Sequence, residues 1–342
     1  MAYNKTEHLR RNIEAIRTAF ALEREQRVAT PEERNTLRAY SGFGAIKEVL
    51  EPLPHKKKTV LTPLIEELHA VLKENTNGER EYKRYMDGIK VSVLTAFYTP
   101  EPVTDAIARM LYNAGVVPMH ALEPSAGTGA FAEYLCRYNE EAEITCFEKD
   151  PLTGLILSRL YPDATVRVQG LETIEPAYEG HFDLITSNIP FGDVSLFDPV
   201  FSNSRDPVRR QGAWAIHNYF FMKSVDLVRD GGLVAFITSQ GMADSERNKP
   251  VREWLMERCD LVAAVRLPNN LFADHAGTEV GSDLIILQKN PAAKPLSERQ
   301  RNFIETRTLS NGITVNNSFQ SLDRVVQTSA KVGTNPYGKP AM

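Results

Sequence analysis

Leu9, Ile13, Ile16 and Phe20 recur at helical intervals with charged residues between them, which predicts an amphipathic helix over 4–24 that packs on one face. Thr30-Pro31-Glu32-Glu33 then supplies a hydroxyl N-cap, a proline at the first helical position and a glutamate three residues after the cap. A second helix is therefore predicted to begin there, with Ser41-Gly42-Phe43-Gly44 breaking it. A third stripe, Leu64, Leu68, Val71 and Leu72, predicts a helix over 63–74, so residues 1–90 read as an N-terminal α-helical domain. The basic run His55-Lys56-Lys57-Lys58 just before it reads as a solvated loop in preference to a phosphate-binding patch.

After Val91 the pattern changes to short apolar runs alternating with helical segments, as in a twisted sheet covered by helices. Strands are predicted at 119–122, 143–147, 165–168, 182–186, 233–238, 261–267 and 283–288, and helices at 101–113, 130–138, 153–160, 217–228 and 249–257. The fold class is α/β, with seven strands in one open Rossmann-like sheet occupying a domain over 91–290. From about Pro291 the apolar periodicity fades and Ser, Asn, Thr and Gly accumulate, which makes 291–342 a polar tail or the start of a truncated continuation.

The 342 residues suit about two domains at ~150 each. With 42% apolar and 25% charged residues, dominant disorder is excluded. Lys and Arg total 40 against 44 Asp and Glu, a formal charge of −4, which excludes a wholesale basic coat for nucleic acid and leaves only local patches. Cys136, Cys146 and Cys259 lie far apart without paired spacing, so neither a disulfide framework nor a zinc knuckle is expected. His120, His181, His217 and His275 share no ligand spacing with them, and no metal is expected. No apolar segment follows the charged N-terminus and no run reaches bilayer length, so the expectation is a cytoplasmic protein with no membrane contact.

Two strand ends carry candidate chemistry. The first predicted strand runs into Glu123-Pro124-Ser125-Ala126-Gly127-Thr128-Gly129-Ala130-Phe131. Gly127 and Gly129 let backbone approach a ligand, and the amides at the helix start favour an anionic or strongly polar group. Gly127-x-Gly129-x-x-Ala132, with Glu148 21 residues beyond Gly127, also satisfies a dinucleotide fingerprint in which the acid takes ribose hydroxyls, so a nicotinamide dehydrogenase competes here.

The fourth strand leaves the sheet through Asn188-Ile189-Pro190-Phe191-Gly192, a stiff turn that a nicotinamide enzyme does not need. Asn188 offers a side-chain carbonyl, Ile189 a backbone carbonyl held by Pro190, and Phe191 an aromatic face. These groups suit a planar amine. Two acceptors pulling on its hydrogens favour the pyramidal form, whose lone pair can attack a sulfonium methyl, in a crevice at the carboxyl ends of the strands. The competing reading is a plain loop turn with Phe191 in the core.

Residues 123–131 resemble the cofactor-binding motif of S-adenosylmethionine-dependent methyltransferases, and Asn188-Ile189-Pro190-Phe191 resembles the Asn-Pro-Pro-Tyr/Phe catalytic motif of N6-adenine DNA methyltransferases. Ile189 departs from that pattern, in which a proline stands. Thr95-Ala96-Phe97-Tyr98-Thr99-Pro100-Glu101 resembles the family's upstream motif, and the order along the chain is that of the gamma-type adenine enzymes. The resemblance implies a methyltransferase sheet and S-adenosylmethionine as cofactor, held by Phe97, Thr99, Glu123, Ser125, Ala126, Gly127, Gly129, Glu148 and Lys149. Glu123 is implied at the methionine amino end and Glu148 at the ribose. Asn188, Ile189, Pro190 and Phe191 are implied to take the target base. Thr99 is also placed to cap the helix that follows Pro100.

Tyr40-Ser41-Gly42-Phe43-Gly44, His217-Asn218-Tyr219-Phe220-Phe221, Arg266-Leu267-Pro268-Asn269 and Ala276-Gly277-Thr278-Glu279-Val280 resemble the methylase part of large helicase-methylase proteins of phages and conjugative elements. The partners this implies are adenine-containing duplex DNA and a fused or associated helicase portion. Between Asp193 and Ala215 lies a segment without clear periodicity that holds Arg205, Arg209, Arg210 and Trp214. It reads as a DNA-contacting loop that clamps phosphates or fills the gap left by an extruded base, or as a disordered insertion. The function expected is DNA adenine N6-methylation. The alternatives are a methyltransferase acting on RNA or a protein glutamine, and a non-catalytic DNA-binding module.

Overall fold

Asn4 accepts the amides of Thr6 and Glu7 through its side chain and so starts α1 (Lys5–Glu25), which buries Leu9, Ile13, Ile16 and Phe20 on one face. The computed structural model describes residues 4–44, 46–54, 58–95, 98–192, 194–272, 280–292, 294–319, 333–334 and 340–341. α2 (Pro31–Arg38) opens with the complete capping box that its sequence predicts, Thr30 and Glu33 each bonding the other's backbone amide. α3 (Thr62–Glu74) and α4 (Glu79–Thr95) follow. The inward stripe of α4 is Tyr82, Tyr85, Met86 and Ile89, mostly aromatic and sulfur side chains in place of an aliphatic repeat.

By its contacts the chain divides into two compact units, one drawn from Met1–Val117, Ser125–Leu171 and Phe272–Thr278, the other from Pro118–Pro124, Glu172–Leu271 and Glu279–Met342. In the first, the N-terminal helices and α7 (Pro151–Leu160) share one core in which Leu9, Ile65, Leu68, Leu152 and Ile156 are fully withdrawn from solvent. α5 (Glu101–Asn113) and α6 (Ala130–Tyr138) belong to the same unit.

All seven predicted strands occur: β1 (His120–Glu123), β2 (Glu143–Phe147), β3 (Thr165–Arg167), β4 (Phe182–Asn188), β5 (Val228–Ser239), β6 (Cys259–Leu267) and β7 (Ser282–Lys289). Their sheet order is β3-β2-β1-β4-β5-β7-β6. In the first unit β2 and β3 are parallel. In the second, β1, β4 and β5 are parallel while β7 runs antiparallel between β5 and β6. A buried strand alternates its side chains alike in either direction, so the reversal of β7 leaves no mark on periodicity. β5 begins five residues before its predicted start. Val228 pairs with Phe182 across a register shift, and the intervening Asp230-Gly231-Gly232 reads as a turn in sequence.

The second unit also holds α8 (Pro199–Ser202), α9 (Pro207–Gly212), α10 (Ile216–Leu227), α11 (Gly241–Asp244), α12 (Lys249–Met256), α13 (Glu298–Ile304), and a hairpin of β8 (Thr306–Thr308) and β9 (Thr314–Asn316). α13 starts at a Ser297–Gln300 capping box and buries Phe303 and Ile304. Asn316, fully buried, donates to the carbonyls of Ala243 and Phe303. Among the described residues no helix is long and apolar enough to cross a membrane.

Candidate functional site

In the first unit the chain turns from 125 to 129 into α6. The Ala126 amide donates to the Phe147 carbonyl at the end of β2 (2.9 Å), and the Gly129 amide donates back to the Ala126 carbonyl (2.8 Å). Gly127 and Gly129 sit at φ +55° and +82°, the left-handed region that side chains rarely adopt. A Cβ on Gly127 would lie 2.9 Å from Cε1 of Tyr98, and one on Gly129 2.5 Å from Cε2 of Tyr161. Conformation and room both demand glycine there.

Glu148, immediately after β2, closes this turn from the other side. Its Oε2 accepts from the Gly127 amide (2.8 Å) and its Oε1 from the Asp150 amide (2.7 Å). Asp150 in turn caps α7 by accepting from the Thr153 amide (2.7 Å). Burial, and then the neighbouring Asp150 carboxylate, push the Glu148 carboxyl up to about 7, against the pull of the backbone amides. Burial also raises Asp150 and holds the Tyr98 hydroxyl far above the usual tyrosine range. The amides of Gly127 and Gly129 are thus taken by the chain itself, which leaves the amides at the start of α6, from Ala130 on, as the ones the anionic-ligand expectation concerns.

The other sequence-predicted residues of this unit are placed as follows. Phe97 lies outside the described residues. Thr99 is buried, and α5 begins with Pro100 at the cap position and no side-chain hydrogen bond there, so Thr99 does not cap that helix. Ala126 is buried, Ser125 half-buried and Lys149 exposed. Tyr98 and Asp150 complete the turn without having been singled out. Tyr98 stands between two residues of a noticed motif, and Asp150-Pro151 is a helix-start signal beside a noticed acid.

In the second unit, Ala121 and Leu122 of β1 pair with Leu184 and Ile185 of β4, so buried Glu123 ends the strand beside the one that carries Asn188. One residue beyond Asn188, the Ile189 amide donates to the Ile237 carbonyl of β5 (3.0 Å), adding a rung to the β4–β5 ladder. A proline has no N–H to donate. The departure from the Asn-Pro-Pro pattern therefore has a structural counterpart: a backbone hydrogen bond fixes the position that a ring would otherwise stiffen. Ile189 is buried, Asn188 and Pro190 are half-buried, Phe191 is 8% exposed, and Gly192 follows at φ +123°.

Residues 194–215, which lack periodicity in sequence, form an ordered loop built on α8 and α9. Buried Asp198 caps α8 and accepts from the Tyr219 hydroxyl (2.8 Å). Arg209 makes a two-pronged ion pair with Asp226 (3.0 and 2.6 Å), and its guanidinium lies over the rings of Phe201 (4.5 Å) and Trp254 (6.0 Å). Arg205 and Arg210 are exposed, Arg210 bonding the Ser204 carbonyl (2.6 Å). Of the other basic run, Lys56 and Lys57 lie outside the described residues and Lys58 is exposed.

Two further motifs from the sequence prove to be internal struts. Asn248 lies 3.2 Å from Nε2 of buried His217 and accepts from Asn218 (2.8 Å). Arg266, on β6, donates twice to fully buried Asp283 on β7 (2.9 and 3.1 Å) and once to Asp244 (2.9 Å), with its guanidinium 4.1 Å over the Phe319 ring. Burial raises Asp283 to about 6 even so. Residues 276–279 lie outside the described residues.

The Defense against restriction protein B of Escherichia phage P1 is 27% identical over 209 residues, covering 60% of this chain and 9% of that protein. The Type II methyltransferase M.XamI of Xanthomonas campestris pv. amaranthicola is 24% identical over 238 residues, covering 64% of this chain and 43% of that protein. The chain thus spans less than half the length of either relative. A solved structure from Listeria monocytogenes, assigned to the class I S-adenosylmethionine-dependent methyltransferases, is 17% identical with a TM-score of 0.50 over 86% of this chain and 91% of that one. At that identity the likeness shows a shared α/β fold. A family model described as N-6 DNA Methylase matches residues 161–332, just over half of the chain and inclusive of Asn188, Ile189, Pro190 and Phe191, and the chain belongs to that family.

Proposed function

We propose that the chain methylates the exocyclic N6 amine of adenine in DNA, with S-adenosylmethionine as methyl donor. The observation that carries this reading is the 188–191 motif at the tip of β4, held by the Ile189–Ile237 rung. Pro190 has no N–H and that of Ile189 is engaged by β5, so the backbone at these two positions can only accept. The side-chain carbonyl of Asn188 and the backbone carbonyl of Ile189 take the two amine hydrogens, and Phe191 stacks on the adenine once it has left the helix stack. Drawn toward two acceptors, the nitrogen loses conjugation with the ring and its lone pair becomes nucleophilic.

The turn at 125–129 fits the donor. It offers two glycines whose side-chain positions are denied by Tyr98 and Tyr161, and a carboxylate, already held by the amides of Gly127, Asp150 and Lys149, placed to accept from ribose hydroxyls. Glu123 would hold the amino end. When bound, S-adenosylmethionine supplies a sulfonium-activated methyl and a thioether leaving group. The relatives' greater length supports a further part of the reading, that this chain works with additional domains, for which the motif resemblance implies a fused or associated helicase portion.

Glu148 accepts from both hydroxyls only when ionised. S-adenosylmethionine affinity is therefore expected to rise as pH is raised through about 7 and to level off above it. Glu148→Gln should bind more weakly and lose that pH dependence, which calorimetry over about pH 6 to 8 measures; a flat wild-type profile contradicts the assignment. For the free protein the expected sign is opposite. Its Glu148 keeps a proton that the unfolded chain loses near 4.5, so this group's contribution to stability falls as pH rises from about 4.5 to about 7. The acceptor class is tested by offering labelled methyl donor with duplex DNA, RNA and protein in parallel. Label in DNA is expected; label in RNA or protein alone overturns the reading.

A further inference from the structure

The loop that follows the 188–191 motif exposes two large aromatic rings, Phe197 at 75% and Trp214 at 67%. Single apolar residues are common on a soluble surface, but two bulky rings on one loop call for a cause. The two strands of chain that carry them meet at its neck, where the Leu196 amide donates to the Ala213 carbonyl (2.9 Å) one residue before each ring. The neck is anchored from within. Asp198 is held by Tyr219, Arg209 by Asp226 and two rings, and Asp206 accepts from the indole N–H of Trp254 (2.8 Å). The anchors fix the backbone and leave Phe197 and Trp214 outside. Among the described residues of the loop the exposed charges are Arg205 and Arg210, both positive, while the acids Asp198 and Asp206 are turned to internal bonds. On a chain of net charge −4, the loop thus shows solvent a positive face among its described residues.

We propose that Phe197 and Trp214 form a stacking platform for bases of the substrate DNA beside the target adenine, with Arg205 and Arg210 on its phosphates. The proposal rests on the reading of DNA as substrate. Rings presented by an anchored loop accept the face of any base without reading its sequence. Guanidinium contacts to phosphates fix position in the same sequence-independent way. Unstacking the target breaks its contacts with neighbouring bases, and rings that take over such contacts offset that loss.

The chain has two tryptophans, and Trp254 is only 5% exposed, so acrylamide quenching of the emission reports chiefly on Trp214. The full chain is titrated with duplex DNA, binding being read independently by the anisotropy of a labelled duplex. The expected result is that DNA shields Trp214. Phe197→Ala and Trp214→Ala are each expected to weaken DNA binding on the order of 10-fold, and Trp214→Phe to restore it, with S-adenosylmethionine affinity unchanged throughout. Arg205→Ala with Arg210→Ala should lower the slope of log affinity against log salt by about 2. Anisotropy showing tight binding with Trp214 still quenchable, and alanine variants that bind like the wild type, overturns the platform and leaves the DNA reading standing. No anisotropy change with any DNA, together with methyl label in RNA or protein, overturns both. Shielding of Trp214 without DNA that disappears on dilution assigns the face to a second copy of the chain and overturns the platform.

Discussion

Replacing Asn188 with alanine is expected to lower the rate of methyl transfer to DNA by on the order of 100-fold or more while leaving S-adenosylmethionine affinity unchanged. The argument is local. β4 brings Asn188 to the end of a paired strand, the next residue adds a rung to β5, and the residue after that is a proline, so the side chain is presented from a backbone with little freedom. A fixed acceptor that strengthens its bond as the amine turns pyramidal acts on the transition state more than on the bound substrate. Its loss should therefore appear in turnover. Asn188→Asp keeps an acceptor oxygen and should lose less than alanine. Single-turnover transfer of labelled methyl, with cofactor binding and thermal melting as controls for folding, reads the effect; an alanine variant at the wild-type rate would remove Asn188 from the chemistry.

Arg266→Ala is expected to have the largest effect on folding, destabilising the chain by about 3–5 kcal/mol. The guanidinium is the two-pronged partner of Asp283, which is fully buried on β7, and it also bonds Asp244. Alanine would leave a carboxylate enclosed without its cation. Since burial already raises Asp283 to about 6 beside Arg266, its removal raises the group further, and the deficit should shrink at lower pH where Asp283 is neutral. Arg266→Ala combined with Asp283→Asn should recover part of the loss, because the second change removes the stranded charge. Urea midpoints at about pH 5 and pH 8 test both statements; a loss below ~1 kcal/mol at the higher pH would show that the pair does not hold β6 to β7.

The change from helical spacing to short apolar runs near residue 91 is enough to place all seven strands, since the buried ones need a continuous apolar segment and the partly exposed β3 falls at the next interval. The capping box at Thr30 was legible because its partners are three residues apart. What the pattern could not carry was set at long range. The direction of β7, the polar first half of β5, and the share of α7 in the core of the N-terminal helices all depend on partners remote in sequence. α8 and α9 are too short to show a period, and caps and the Arg209–Asp226 pair hold them in place of an apolar stripe. At the candidate site, Gly127, Gly129 and Glu148 were recognisable by spacing, and the structure joins Gly127 to Glu148 by a hydrogen bond. Tyr98 carries no such spacing signal, because an aromatic residue beside a glycine turn is visible only once the chain has folded back. Ile189 stood out as a departure, and only the ladder shows what its amide does.

The most direct measurement is the chemical identity of the product. The full chain is incubated with methyl-labelled S-adenosylmethionine and unmethylated duplex DNA, the DNA is digested to nucleosides, and the labelled species is separated by mass. The account predicts label in N6-methyladenine, abolished in Asn188→Ala. Label in methylated cytosine, or none in DNA from a chain shown to bind S-adenosylmethionine, would contradict it.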